Sequence, residues 1–299
     1  VQPDAPVTVV VVTWNALPWL EQCLESVRRR DTIVVDHGST DGTLELVRER
    51  FPEVRVIEQE NRGMGGGNNT GMRAADGRYF FLLNADAWVV NDPLVGDGLD
   101  LLVAFADAHP EAAVVGPRLV NTDGTLQRSV RGEPTLWRLA TEYLAIRKLA
   151  PGSRRLNPLY AGGFDHDEVM DADWLSGSAL LIRREAADTV GLFDEDFWMF
   201  SEEVDWMTRF RRAGWKVLFF PDAEVVHVGG AAHGGTLYVE NLRGHLRWFD
   251  KHRGSKEAER VRKLLLWSLR LRALVLRKEQ YREGVRFLSS GNARSLIAK

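Results

Sequence analysis

The chain has 299 residues, 44% of them hydrophobic and 27% charged, the proportions of a folded globular protein rather than a disordered or fibrous one. A single cysteine, Cys23, excludes an internal disulfide framework and a cysteine-based zinc site, and no run reaches the roughly 18 apolar residues that a bilayer-spanning helix needs. The net charge of -3 conceals a division, because residues 243–299 hold 16 Lys and Arg against 5 Asp and Glu, so an acidic body carries a basic tail.

Val7-Thr8-Val9-Val10-Val11-Val12 is a continuous β-branched run, as expected of a strand buried on both faces. The residues before it have neither a basic start nor an apolar stretch, so no signal peptide is expected and a reducing cytoplasm is the expected location. Leu17, Leu20, Leu24 and Val27 are spaced for one face of a helix that ends in Arg28-Arg29-Arg30. Thr32-Ile33-Val34-Val35 predicts a second buried strand, delivering Asp36. Leu44, Leu46, Val47 and Phe51 follow on a second helix, and 54–57 gives a third strand. The stretch from Asn61 to Asn69 is expected to be a glycine-rich loop, with a short helix over 69–75. Tyr79-Phe80-Phe81-Leu82-Leu83 is then a fourth strand, running straight into Asn84-Ala85-Asp86.

Strand–helix alternation with short links predicts parallel pairing and right-handed crossovers. The fold class is therefore α/β, a mainly parallel twisted sheet flanked by helices. Further strands are expected at 112–115, 179–182 and 216–220, the last closed by Pro221. The segment 128–170, rich in Arg, Pro and Gly with one helical piece at 136–149, is expected as an inserted flap. From Asn241 onward the pattern is helical and basic. Residues 264–276 are apolar on nearly every side, interrupted by Arg270 and Arg272, which suits docking on the protein body, on a partner subunit or on a membrane surface; docking on protein is favoured, because the charges do not segregate to one side.

Side chains that carry chemistry recur at expected strand ends: Asn15, Asp36, Asn84 and Asp86. Ligands bind at that edge of open α/β sheets. A carboxylate delivered there by a buried strand suits a divalent cation, although a simple Asn/Asp turn is an equal alternative from the residues alone. Asp36 could accept the imide N–H of a pyrimidine base, with Gly38 allowing backbone to approach; an Asx turn is the plainer role, adequate for Ser39-Thr40-Asp41 and less so for Asp36. The run Asn61-Arg62-Gly63-Met64-Gly65-Gly66-Gly67-Asn68-Asn69 matches neither the dinucleotide fingerprint nor a phosphate-binding loop with its lysine. A lid over phosphates and a surface turn both remain open. Farther on, Glu202, Glu203 and Asp205 lie beside Phe197, Trp198, Phe200 and Trp206, as in a semi-apolar cleft that holds a general base. His227 ends another strand and is a candidate ligand.

Together these pieces resemble glycosyltransferase family 2, inverting enzymes with the A-type nucleotide-sugar-binding fold. The likeness runs through Val9 to Asn15, Ile33 to Gly42, Asn61 to Gly71, Tyr79 to Asp86, Gly177 to Arg184, Gly191 to Asp205 and Pro221 to His227. In style, Leu175 to Arg184 before Gly191-Leu192-Phe193-Asp194-Glu195 is most similar to bacterial rhamnosyltransferases, with galactofuranosyltransferases also similar. The resemblance implies that Thr13, Asn15, Asp36, Gly38, Asn61, Gly65, Asn69, Asn84 and Ala85 bind the nucleotide sugar. Asp86 and His227 would hold Mg²⁺ or Mn²⁺, and Trp174, Gly177 and Asp205 would face the acceptor. The family's catalytic base is an Asp; that position is Glu203 here, with Glu202 as its competitor. Asn84 stands where other members have an Asp, and His37 where Asn is usual.

On this resemblance residues 1–242 form a catalytic domain, its nucleotide-sugar half at about 1–118 and its acceptor half at about 119–242, and residues 243–299 a basic helical extension. The implied partners are a nucleoside-diphosphate sugar, dTDP-L-rhamnose first, and a glycan or polyprenyl-linked acceptor. The basic tail suggests peripheral contact with the inner face of the cell membrane. A homo-oligomer is compatible; nucleic acid is not expected, because the acidic body would repel it. Other readings are a UDP-hexose transferase, a sugar-phosphate nucleotidyltransferase and a catalytically silent partner subunit.

Overall fold

The computed structural model describes residues 6–92, 96–229 and 237–297; residues 1–5, on which the leader expectation partly rests, lie outside them. The four strands expected in the first half all form. β1 (Val7–Thr13), β2 (Asp31–Asp36), β3 (Arg55–Glu58) and β4 (Tyr79–Asn84) pair in parallel in the spatial order β3-β2-β1-β4. Helices α1 (Leu17–Ser26), α2 (Thr43–Arg50) and α3 (Gly63–Ala74) connect them. Every residue of β1 is buried because both faces are covered. Val9 and Val11 pack with Leu20, Cys23 and Leu24 of α1, whereas Val10 and Val12 pack with Met72 of α3.

The glycine-rich segment departs from expectation. Gly63–Ala74 is one continuous helix, not a loop followed by a short helix. Each glycine in a helix interior is worse than alanine by roughly 1 kcal/mol, which is why the local sequence points to a loop. Packing overrides that preference. A Cβ on Gly67 would stand 2.7 Å from Val12 Cγ1, and one on Gly71 2.3 Å from Val10 Cγ1. Bare backbone lets α3 lie directly on β1, so the segment is a helix seated on the sheet.

After β4 the chain forms β5 (Ala87–Val89), a ribbon of β6 (Asn91–Asp92) and β7 (Gly96–Asp97), and α4 (Gly98–Ala108), which Asp97 caps through the Leu99 and Asp100 N–H groups. β8 (Ala112–Val120) folds back as β9 (Leu126–Gln127), a hairpin absent from the expected elements. The expected flap contains β10 (Val130–Arg131), α5 (Leu136–Tyr143) and a 3-10 turn at Ile146–Lys148, and β11 (Met170–Asp171) and β12 (Trp174–Leu175) follow at its end. β13 (Ala179–Arg183) then enters between β4 and β8, antiparallel to both. It does so because the chain returns from the flap at the C-terminal end of β4, with no crossover helix.

Next come α6 (Arg184–Val190), α7 (Glu202–Arg212) and β14 (Lys216–His227), which pairs in parallel with β8. β14 continues past Pro221 instead of stopping there. Its register slips between Phe220 and Glu224, and the bulge accommodates a residue that has no N–H for the ladder. The main sheet runs β11-β14-β8-β13-β4-β1-β2-β3, with β5 on β14 and β9 on β8.

α8 (Tyr238–Arg253), α9 (Ser255–Leu276), α10 (Glu279–Ser289) and α11 (Gly291–Ser295) complete the described chain. The division expected at residue 242 therefore falls inside α8. These helices share a core with the body, in which Leu139, Tyr143, Phe197 and Val204 meet Leu242, Leu246, Trp248, Leu265 and Leu269. Among the described residues no helix is long and apolar enough to cross a membrane.

Candidate active site

The parallel strands end together. Thr13 stands opposite Asp36, and Asn84 pairs with Val12 one row earlier. Thr13 Oγ1 is buried without a hydrogen-bond partner, while the neighbouring Trp14 is 57% exposed. Asn15 takes a left-handed conformation, φ 52°; its Oδ1 accepts the Thr40 N–H at 2.8 Å and its own N–H donates to Ser39 Oγ at 2.8 Å. Asp36 is fully buried. It accepts the N–H groups of Gly38 and Ser39 at 2.9 and 2.8 Å and the Ser39 hydroxyl at 2.5 Å. The Asx-turn role thus extends to Asp36, and its carboxylate shapes the loop that borders the edge. Gly38, at φ 78°, leaves open space where a side chain would stand.

At the next strand end, β5 pairs with β14 so that His227 lies opposite Ala87, and the Val228 N–H donates to the Asp86 carbonyl at 3.0 Å. That pairing brings His227 Nε2 to 3.4 Å from Asp86 Oδ1 and 3.5 Å from Asn84 Nδ2. Ala85 between the two strand-end residues is buried. A directed chain of hydrogen bonds orients the imidazole. The Asp123 carboxylate accepts the Thr125 hydroxyl at 2.6 Å, which holds it below the usual carboxyl range. Thr125 Oγ1 accepts from Asn121 Nδ2 at 2.9 Å, Asn121 Oδ1 from Gln127 Nε2 at 3.0 Å, and Gln127 Oε1 from His227 Nδ1 at 2.6 Å. An ionised carboxylate can only accept, so each bond fixes the sense of the next. Nδ1 therefore donates, which turns Nε2 toward Asp86. Sequence reasoning missed Gln127 and Asn121. The signal was the Asp123-Gly124 pair between two short apolar pieces, which marks a hairpin.

The acids of α7 follow a strained corner. Phe200 and Ser201 are both left-handed, with φ 67° and 70°. Such non-glycine residues cost about 1–3 kcal/mol each and persist only where the surroundings over-determine them. α8 supplies that constraint: a Cβ on Gly244 would lie 2.7 Å from both Phe200 O and Ser201 Oγ. Beyond the corner, the Cβ of Glu202 lies against Gly65 of α3, while the Glu203 side chain runs along Gly177. Glu203 lines a cavity of about 500 Å³ together with Arg131, Tyr160, Trp174, Tyr238 and Arg272. Trp174 is fixed there by donation from its Nε1 to the Gly132 carbonyl at 2.9 Å. The volume is that of a small-molecule site.

Besides the Tyr238 hydroxyl, two buried atoms of this cavity's residues have no partner, Glu203 Oε2 and Arg131 Nη1. One is an acceptor and the other a donor, a complementary pair for a hydroxylated ligand. Burial raises the pKa of both Glu202 and Glu203, and the charge of Glu203 drives Glu202 higher still. Backbone N–H groups at the start of α7 and the Arg131 guanidinium draw Glu203 back. Both acids are raised, Glu202 further than Glu203, which makes Glu203 the readier of the two to ionise. The cavity adjoins the strand edge, since the Asn84 N–H donates at 2.9 Å to the carbonyl of Ser178, next to Gly177.

Other expected site residues are engaged within the fold. Asn61 Oδ1 accepts the Gly63 N–H at 3.0 Å and starts α3. Gly65 is a packed position within that helix. Asn69 is buried and staples α3 to the 193–195 segment, donating to Phe193 O and Glu195 Oε1 and accepting the Phe193 N–H. Asp205, expected on the acceptor side, is fully buried among Arg209 at 2.9 Å and Lys251 and His252 at 2.7 Å. Burial alone would raise its pKa, but hydrogen bonds from His252 and Lys251 and the Arg209 charge bring it to about 2. Polar side chains placed inside packed elements find protein partners.

This architecture, with its polar strand edge beside an acid-bearing cavity, is the A-type fold of nucleotide-sugar-dependent glycosyltransferases. GalNAc-T7, solved with UDP, GalNAc and Mn²⁺, superposes with a TM-score of 0.57 at 17% identity over 84% of this chain, which spans about half (48%) of that structure. The mannosyltransferase PcManGT from Pyrobaculum calidifontis, solved with GDP-Man and Mn²⁺, gives 0.54 at 18% identity, covering 99% of this chain and 86% of the other. Residues 8–156 match the model for Glycosyl transferase family 2. The N-acetylglucosaminyl-diphospho-decaprenol L-rhamnosyltransferase of Mycobacterium tuberculosis is 30% identical over 275 residues, 81% of this chain and 85% of that protein. The chain belongs to glycosyltransferase family 2.

Proposed function

We propose that this glycosyltransferase moves a sugar, L-rhamnose from dTDP-L-rhamnose before others, onto an acceptor hydroxyl of a lipid-linked or glycan intermediate, with inversion at the anomeric carbon. The observation that carries the reading is Glu203, a buried carboxylate with an unpartnered oxygen lining a cavity beside the strand edge. There it can take the proton of an acceptor hydroxyl as that oxygen attacks, and a single displacement needs no second base. Arg131 would accept no proton but can donate to the same acceptor. The 30% identity to a rhamnosyltransferase acting on a decaprenol-diphosphate-linked sugar supports the choice of sugar and acceptor.

Asp86 and His227 suit Mg²⁺ or Mn²⁺, offering a carboxylate oxygen and an imidazole lone pair held by Gln127. Among the described residues no third His, Cys, Asp or Glu joins them, which leaves room for diphosphate oxygens and water. The ion would offset the charge that builds on the departing diphosphate. Gln127→Met removes the acceptor for Nδ1–H and is expected to weaken Mn²⁺ binding, read by calorimetry, by about 10–100-fold, whereas Gln127→Glu retains most of it. Equal affinity in both variants would detach Gln127 from the ion.

The reading itself is tested with a panel of dTDP-, UDP- and GDP-sugars, scored by thermal stabilisation with Mg²⁺ and by transfer with and without EDTA. Stabilisation by dTDP-L-rhamnose and EDTA-sensitive transfer are expected. A UDP-sugar preference would replace rhamnose with a hexose, and full transfer in EDTA would remove the metal.

A further inference from the structure

α9 is apolar on two sides. One side, with Ala258, Val261, Leu265 and Leu269, is buried in the core shared with α5, α8 and α10. The other is open: Trp267 is 60% exposed, Leu271 50%, Leu274 75% and Val275 66%. Spacings of four, seven and eight residues put these four on one side of the helix. A contiguous exposed apolar stripe of this kind marks an interaction surface.

The charges around it are mainly positive, with Glu259 paired to Lys263 at 3.7 Å. Lys263 and Arg270 lie on the same side, Arg277 and Lys278 follow at the helix end, and all four are exposed. No Asp or Glu occurs between Glu259 and Glu279. A two-fold pair of copies joined through this face would set those cations against their own images. An anionic lipid surface satisfies both features, taking the Trp and Leu side chains at the acyl boundary and the cations at the headgroups.

We propose that this face of α9 docks the enzyme on an anionic lipid bilayer. Electrostatic attraction contributes about fivefold in partitioning for each Lys or Arg near such a surface and weakens with salt. Docking also places the site. Arg272 follows Leu271 directly and turns the other way, into the cavity that holds Glu203. The cavity then lies about one helix diameter, ~10–12 Å, from the headgroups.

The test is flotation of the full chain with phosphatidylcholine vesicles, with and without phosphatidylglycerol, at low and high salt. No nucleotide sugar is present, so the outcome is independent of the transfer reaction. The wild-type chain is expected to float with phosphatidylglycerol vesicles at low salt. The Leu271→Glu/Leu274→Glu variant, altered at exposed positions, should keep its melting temperature and lose at least about tenfold in binding. Lys263→Glu/Arg270→Glu should weaken binding as well and flatten its salt dependence. The proposal falls if wild type does not float, or if both variants float as well as wild type. It also falls if sedimentation shows a wild-type dimer that Leu271→Glu/Leu274→Glu dissociates, because the face then belongs to a second copy.

Discussion

Glu203→Gln is expected to lower kcat by about 10²–10⁴-fold, the range that a positioned general base contributes. The amide has the same shape and still fits along Gly177, but it cannot take up the acceptor proton. Donor KM and donor-induced thermal stabilisation should stay near wild type, because the strand edge formed by Thr13, Asn15 and Asn84 is untouched. Glu202→Gln should behave differently. Burial and the neighbouring charge raise the pKa of that acid further than that of Glu203, so a neutral amide is the smaller change there. Steady-state kinetics of the two variants separate the roles, and a collapse of kcat only in Glu202→Gln would exchange them. Because burial raises Glu203, wild-type kcat/KM should fall on the acid side around a pKa above the ordinary 4.5, and Glu203→Gln should abolish that limb.

Asp205→Asn is expected to destabilise the fold by about 3 kcal/mol, the lower end for breaking a buried ion pair. The lower end applies because Lys251 keeps Asp194, at 2.6 Å, while Arg209 and His252 lose their carboxylate. The pH dependence has a definite sign. The folded pKa of about 2 is below the ordinary 3.8, so the group contributes stability above about pH 4 and loses it as pH falls from there toward 2. The linkage is worth roughly 2 kcal/mol. Urea unfolding at pH 7 should show the full gap between wild type and Asp205→Asn, and the gap should narrow at pH 3. A gap that stays constant with pH would mean that the ion pairs do not carry the effect.

The readability of this chain followed the periodicity of its side chains. β1, β2 and β4 are runs of Val, Ile, Phe and Leu that admit no other burial, and their ends locate Asp36 and Asp86 without further information. α3 was hidden because its glycines look like a loop until Val12 is known to lie beneath Gly67 and Val10 beneath Gly71. Asn69 and Asp205 looked like ligand-facing groups because a sequence does not say which partner a polar side chain will meet. In the fold those partners are Phe193 and Glu195 for the first and Arg209, Lys251 and His252 for the second. Gln127 and Arg131 escaped for the opposite reason. Each sits in a two-residue strand too short to leave a pattern, and long-range pairing gives each its place beside His227 or Glu203.

The cavity walls have a further consequence. Arg131 and Tyr160 come from the flap, and Tyr238 and Arg272 from helices beyond residue 156, where the family match ends. The strand edge belongs wholly to the first 86 residues together with His227. On the proposed function, donor choice and acceptor choice would be encoded in separable stretches of one chain. Exchanging α8–α10 between relatives should therefore re-address the product while leaving the sugar the same, provided Gly244 remains to hold the corner ahead of Glu203.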